Sequence, residues 1–387
     1  MENLDNLIFS HDIPFYWYPE KIYNESILPK ALTFQLYYNK ELGLLSQIAT
    51  PQVVESLEKA YSIGSEVIGL MDADGIGKKY ADDFIRFIEI LVNLHELQDK
   101  KVLEIGCGTG YLLHEFQKKG AEVLGYEPGY ARIGKYPIRC INGFFPSEEV
   151  KDKKFDIIIA YNLLEHIDDL NSILAVIKSK LVAEKGLLIL SVPDCETYIK
   201  NGDISMLFHE HYSYFTVENL TNLLLTNGYT VVEAKKSSFG GNIHIAAQAL
   251  QNTTSKPINS IDESLYNNFK ILFETKTLQL KKLFELNQQK SIGIYVPIRA
   301  LNLLYLLKDD IERLGIQLRF FDESEYLYTK YLPCFDISVE NLEDFISNPP
   351  DLTIIFSYSF GKQIKEKLIN STLNQPNIQL LTINEIF

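Results

Sequence analysis

The amino-acid sequence predicts an α/β protein: a doubly wound, mainly parallel sheet, followed by a second and smaller α/β unit. Three observations carry this. Between Lys101 and Pro128 the apolar run Val102-Leu103-Glu104-Ile105 enters the turn Gly106-Cys107-Gly108-Thr109-Gly110. An amphipathic stretch with Leu112, Leu113 and Phe116 follows, and a second apolar run, Val123-Leu124-Gly125-Tyr126, ends on Glu127. Strand, glycine turn, helix and strand make one βαβ unit, and regular strand–helix alternation continues to about Ala249. A new alternation then begins at Ser291.

The glycine turn decides what the first unit binds. Glycines let backbone pass close beneath a ligand, and the following helix offers free N–H groups to the ligand's polar end. An acid closing the second strand, Glu127, is placed to accept hydrogen bonds from both ribose hydroxyls. A dinucleotide fingerprint needs a third glycine three positions after the second, where this chain has Tyr111. The glycines fall instead at Gly106, Gly108 and Gly110, with Glu104 two residues before the first. This pattern resembles motif I of the class I S-adenosylmethionine-dependent methyltransferases, a Rossmann-like doubly wound fold. The alternative is a Rossmann-like turn serving another nucleotide or none. The resemblance implies S-adenosylmethionine as cofactor, its methionine part cradled by Glu104, Gly106, Cys107, Gly108, Gly110 and Tyr111, and its ribose held by Glu127 and Pro128. It also places adenine contacts at Gly143 and Phe144, and Tyr161 and Asn162 beside the cofactor.

Composition bounds the partners. The 387 residues, 46% hydrophobic and 12% aromatic, suffice for two domains with sizeable cores. A formal net charge of -14 argues against a nucleic-acid partner, which needs a basic face. No apolar run approaches the roughly twenty residues that span a bilayer. The acidic start, MENLDNLIFSHD, lacks a signal-peptide pattern. Cys107, Cys140, Cys195 and Cys334 show no metal-type spacing, so a reducing, cytoplasmic location is expected.

In order, residues 1–100 read as an N-terminal cap or substrate segment, partly helical. It is aromatic-rich over 10–23 and mostly helical over 50–97, with a break at 72–75. Packing of its helices on the sheet edge is an equal reading. The methyltransferase unit takes 101–250, with strands at 138–141, 155–160 and 186–192, helices at 168–181 and 217–227, and paired strands at 230–236 and 242–248. The run at 155–160 is continuously apolar, as a strand covered on both faces requires. Residues 251–290 comprise a polar linker and a long amphipathic helix over 261–290. The last unit, 291–387, has strands at 291–296, 317–322, 352–357 and 379–382, and helices at 300–314 and 360–368. Asp322 ends its second strand as Glu127 does in the first unit. Yet Tyr295-Val296-Pro297-Ile298-Arg299-Ala300 has no glycine for a phosphate turn, so this Rossmann-like unit reads as a support or substrate clamp.

From about Lys101 onward the chain is similar to sugar C-methyltransferases acting on nucleotide-linked 4-keto-6-deoxy sugars. The stretches AYNLLEHIDDL (160–170), FHEHYSYF (208–215) and FGGN (239–242) carry the resemblance, with Phe321-Asp322, Tyr331-Leu332-Pro333 and IIFSYSF (354–360). Such chemistry removes a proton beside a ketone. That calls for a side chain titrating near neutrality and donors at the developing enolate oxygen. The resemblance places the base at His211, oriented by Glu210, with His166 across the pocket. A solvated or packed turn is the bland reading of His209-Glu210-His211. A metal held by His209 and His211 lacks further ligands at useful spacing, and none is expected. The chain departs from the family in four places. No cysteine precedes Cys107 to hold the usual N-terminal zinc, although Tyr37–Leu44 resembles the end of that module. Phe208 and Phe239 stand where a tyrosine and a histidine are usual, and only Arg299 is left to meet a phosphate. The expected function is methyl transfer to a small-molecule acceptor, a nucleotide-linked sugar or related intermediate, at carbon. O- or N-methylation of another small molecule, or a non-catalytic cofactor-binding scaffold, are the alternatives.

Overall fold

The computed structural model describes residues 6–63, 71, 75–92, 97–182, 185–250, 263–372 and 378–387. The linker at 251–260 and the break at 72–74 lie outside these residues.

Three sheets organise the described chain. The first begins with β1 (Leu7–Pro14), β2 (Ala31–Asn39) and β3 (Leu44–Ile48), paired antiparallel. Its inward face is written in β2, where Leu32, Phe34, Leu36 and Tyr38 are buried at alternate positions. Reading this segment as aromatic and partly helical passed over that period of two. The helical expectation holds further on, in helices Pro51–Ile63 and Gly75–Leu91.

The central sheet contains β4 (Lys101–Ile105), β5 (Glu122–Tyr126), β6 (Cys140–Ile141), β7 (Ile157–Tyr161) and β8 (Leu187–Pro193), all parallel. A two-residue strand, β9 (Ser213–Tyr214), then leaves this sheet and pairs with β3 of the first. The chain returns through β10 (Tyr229–Lys236) and β11 (Asn242–Ala249), a hairpin whose β11 lies antiparallel beside β8. The order is β10-β11-β8-β7-β4-β5-β6, with the winding reversing between β4 and β7. Ligands of open α/β sheets sit at the carboxyl ends beside such a reversal. One face buries Leu103, Leu124, Ile158 and Leu190 against helices Leu170–Lys180 and Val217–Thr226. The other buries Val102, Val123, Ile159 and Ile189 with Phe84, Phe87 and Ile88 of helix Gly75–Leu91.

The third sheet is wholly parallel: β12 (Ser291–Tyr295), β13 (Gln317–Phe321), β14 (Val339–Glu340), β15 (Leu352–Ile355) and β16 (Gln379–Thr382), in the order β14-β13-β12-β15-β16. The single helix expected over 300–314 is two, Pro297–Leu306 and Lys308–Arg313. Leu307 steps out of helical geometry between them, and Leu303, Leu304, Leu307 and Ile311 all stay buried.

Packing divides residues 1–100. Helix Gly75–Leu91 enters the core of the central sheet. Phe9, Phe34 and Leu36 instead share one core with Tyr266, Phe269 and Phe273 of the long helix Glu263–Leu286 and with Ile292, Leu301 and Leu304 of the third unit. The loop carrying Phe208 to Tyr212 therefore runs where the three units meet, because β9 ties its far end to β3.

Candidate active site

The glycine turn leaves β4 with Gly106, Gly108 and Gly110 at φ of 76°, 50° and 85°, a region closed to most side chains. A Cβ on Gly110 would stand 3.1 Å from Ile138 and 3.2 Å from the Tyr130 hydroxyl. Glu127 faces this turn: its Oε2 accepts from the Gly108 N–H at 3.3 Å and its Oε1 from the Gly129 N–H at 2.9 Å. Glu104 is 1% exposed and its Oε2 has no hydrogen-bond partner among the described residues. Burial, with Cys140 and Glu127 nearby, pushes its carboxyl up to about 8. Cys107, buried, lies with its sulfur 3.6 Å from that of Cys140. Beyond β6, Gly143 borders open space and Phe144 is 73% exposed, a bare apolar ring at the rim. Tyr111 is buried and packs on Tyr136, with ring centroids 5.3 Å apart.

The second cluster joins two loops. His166 ends a short turn (Leu164–His166) after β7, and His211 precedes β9. Backbone holds them together: the Tyr212 N–H donates to the Glu165 carbonyl at 2.6 Å and the Gln47 N–H to the Tyr212 carbonyl at 2.9 Å. The two imidazoles meet edge to face with centroids 4.9 Å apart. Burial first, then His166 and Arg299, hold His211 well below the usual imidazole range, so it is uncharged at neutral pH. Glu210 does not orient His211 as expected. Its carboxylate lies 3.9 Å from His166 Nδ1, which also meets the Glu210 carbonyl at 3.0 Å. The chain turns here, the His211 N–H donating to the Phe208 carbonyl at 2.9 Å. Glu165, fully buried, is raised to about 7 by desolvation, and an oxygen of it lies 3.8 Å from His166 Nε2. Glu165, His166 and His211 each offer a ligand atom within 4.8 Å of the others. His209 takes no part. It is 3% exposed, hydrogen-bonded through Nε2 to the Leu32 carbonyl at 3.1 Å, and ringed by Phe15 and Phe34.

Phe208 packs beside this cluster, its ring 5.6 Å from that of His211. Arg299, exposed in the first turn of helix Pro297–Leu306, sets its guanidinium 5.8 Å from the Phe208 ring and 5.7 Å from the Tyr198 ring.

A buried polar chain supports both halves, and sequence reasoning missed most of it. Asn162, at φ 47°, accepts from Asn242 Nδ2 at 2.9 Å; the same amide lies 3.3 Å from the Tyr161 hydroxyl and 3.0 Å from Ser191 Oγ. Ser191 Oγ meets His244 Nδ1 at 3.0 Å, and His244 Nε2 meets Asp83 Oδ2 at 3.1 Å. Burial opposes the charge on Asp83, but hydrogen bonds from Ser238, Ser237 and His244 prevail and hold its carboxyl at about 2. The sequence signals were Tyr161 and Asn162 after β7 and the FGGN run, whose asparagine begins β11.

The seven-stranded sheet, its winding reversal and the glycine turn facing an acid make up the Rossmann-like fold of S-adenosylmethionine-dependent methyltransferases. Residues 77–234 match a family model described as a methyltransferase domain. Among curated relatives, the chain is 26% identical over 291 residues to "C-methyltransferase NovU" of Streptomyces niveus, covering 68% of this chain and 67% of that protein. It is also 26% identical over 159 residues to "Ubiquinone biosynthesis O-methyltransferase" of Bradyrhizobium sp. (strain ORS 278), covering 36% of this chain and 62% of that one. Solved structures matched include an S-adenosylmethionine-dependent methyltransferase from Mesorhizobium loti (TM-score 0.36, 12% identity, 44% of this chain and 99% of that chain). Another is 1,6-didemethyltoxoflavin-N1-methyltransferase from Burkholderia thailandensis (TM-score 0.37, 17% identity, 60% of this chain and 100% of that chain). No helix among the described residues is long and apolar enough to cross a membrane.

The groups at the turn fit this cofactor. Its ammonium suits the orphaned Glu104 carboxyl, its ribose hydroxyls suit Glu127, and the exposed Phe144 face suits adenine. Gly110→Ala is expected to weaken S-adenosylhomocysteine binding about 5- to 30-fold, from a left-handed backbone cost of roughly 1–2 kcal/mol. Calorimetric titration checks this, and wild-type affinity would show that the turn tolerates a Cβ.

Proposed function

We propose that the enzyme methylates a carbon beside a ketone in a nucleotide-linked sugar or a related biosynthetic intermediate, with His211 as the base. The observation that supports it best is the meeting of the His211 and His166 imidazoles, 4.9 Å apart, on two loops joined by the Tyr212 N–H and the Glu165 carbonyl. Bound S-adenosylmethionine supplies an electrophilic methyl group. The chain's own residues do the rest. His211 accepts the acceptor's proton, His166 is held by the Glu210 carbonyl and carboxylate, and the Asn242–Ser191–His244–Asp83 chain fixes Asn162 and Tyr161 beside the cofactor. Arg299, at the mouth, makes no ion pair with a carboxylate among the described residues and suits an anionic group on the acceptor. The likeness to a protein named as a C-methyltransferase supports transfer to carbon.

A thermal-shift titration tests the acceptor class. Ligands that bind the native state raise the melting midpoint with the logarithm of their saturation. S-adenosylhomocysteine is expected to raise it, and one nucleoside diphosphate added on top to raise it further. Arg299→Gln should cancel the second increment and leave the first. A shift with S-adenosylhomocysteine alone, across all nucleotides, removes the nucleotide-linked sugar and favours the O- or N-methylation reading, for which the O-methyltransferase relatives speak.

A further inference from the structure

We propose that Tyr16 is a substrate-facing hydrogen-bond donor of this site, holding the acceptor oxygen that gains negative charge when His211 removes the neighbouring proton. The inference rests on the ketone-based reading above and names a group that reading lacks.

The first ground is an unmet hydroxyl. Tyr16 Oη is shut off from solvent yet has no hydrogen-bond partner among the described residues. Buried tyrosine hydroxyls ordinarily find one, and an orphan needs a reason. The second ground is position. The Tyr16 ring lies 6.5 Å from that of Phe208, whose ring in turn lies 5.6 Å from that of His211. Tyr16, His211 and the Arg299 guanidinium, 5.8 Å from that same ring, thus all neighbour one phenyl ring from three parts of the chain. The third ground is anchoring. Tyr16 follows two residues after β1, the Phe15 N–H donates to the Lys30 carbonyl at 2.8 Å, and the Phe15 ring packs 5.3 Å from His209. The backbone on either side of the site is therefore fastened to the same loop.

Electrostatics agree. Burial, then Tyr326, Glu210 and Asp322, hold the phenol well above its ordinary range, so it stays protonated and donates without releasing its proton. In the step itself the C–H bond breaks and its proton goes to the His211 imidazole. The electron pair forms a carbon–carbon double bond, and the carbonyl pair moves onto oxygen, where the Tyr16 O–H meets it.

The test uses proton exchange, which needs no methyl transfer. The full chain is saturated with S-adenosylhomocysteine and incubated in D₂O with a nucleoside-diphosphate 4-keto-6-deoxyhexose, and deuterium beside the ketone is followed by mass spectrometry. Tyr16→Phe is expected to slow exchange about 10²- to 10³-fold through kcat, with KM nearly unchanged. Because the lost oxygen has no protein partner, the ligand-free melting midpoint should hold or rise. Phe208→Tyr in the Tyr16→Phe background should restore part of the rate. Wild-type kcat in Tyr16→Phe, or a loss confined to KM, overturns the assignment, and a lowered midpoint with an intact rate shows a structural hydroxyl. No exchange by the unaltered protein sinks the ketone-based reading, and the Tyr16 assignment with it.

Discussion

His211→Ala is expected to lower methyl transfer about 10²- to 10⁴-fold, the range a positioned general base supplies, and to leave S-adenosylhomocysteine affinity unchanged. The separation of effects follows from the architecture. His211 lies on the loop that β9 stitches to the first sheet, while the cofactor turn leaves β4 of the central sheet. Truncating the imidazole removes the group that faces His166 and Phe208 but touches no residue of the glycine turn. The measurement is kcat for transfer beside a calorimetric titration of S-adenosylhomocysteine. Retained kcat would remove His211 from the chemistry. A parallel loss of cofactor affinity would mean that the loop, not the base, had been lost.

Glu104→Gln is expected to weaken cofactor binding more than tenfold and to stabilise the ligand-free protein at alkaline pH. Removing one partner of a buried charge pair costs about 2–5 kcal/mol, and the partner expected here is the ammonium of the cofactor. The sign follows from the raised carboxyl. Its ordinary value of 4.5 becomes about 8 in the folded protein. Below pH 4.5 the group is neutral folded or unfolded and contributes nothing. As pH rises toward 8 the unfolded chain ionises first, so Glu104 progressively destabilises the fold. Glutamine abolishes that cost, and the variant should melt above the wild type at pH 8 and level with it near pH 4.5. Cofactor binding runs the other way: an ammonium favours the carboxylate, so binding below pH 8 expels a proton and affinity should climb from pH 6 to 8. The glutamine variant should lack that slope. Equal affinities in the two proteins, or a flat wild-type profile, would exclude a charged contact at Glu104.

The parts of this protein that depend on near neighbours were legible in its sequence. Strand, glycine turn, helix and acid are local, because φ above zero needs glycine where the chain turns and an apolar run needs covering on both faces. Gly106, Gly108, Gly110 and Glu127 accordingly meet as the spacing implied. The second alternation from β12 to β16 was visible for the same reason. The first sheet was visible in principle, through the alternating Leu32, Phe34, Leu36 and Tyr38, but aromatic composition hid the period.

What no local pattern contains is which distant groups meet. Three ionisable residues in a row, His209, Glu210 and His211, looked like one unit, yet one packs in the core, one pairs with His166, and one packs its ring beside those of His166 and Phe208. The Asp83–His244–Ser191–Asn242 chain crosses from helix Gly75–Leu91 to β11 and β8 and has no periodicity to betray it. Tyr16 reaches Phe208 only because β1 packs against the third unit and β9 crosses to β3. Backbone preference and hydrophobic period act over a few residues and determine the sheets and the cofactor turn. The side chains proposed for the acceptor site lie some 195 to 283 positions apart along the chain, from Tyr16 to His211 and Arg299, and only the packing of three units against one loop brings them near one another.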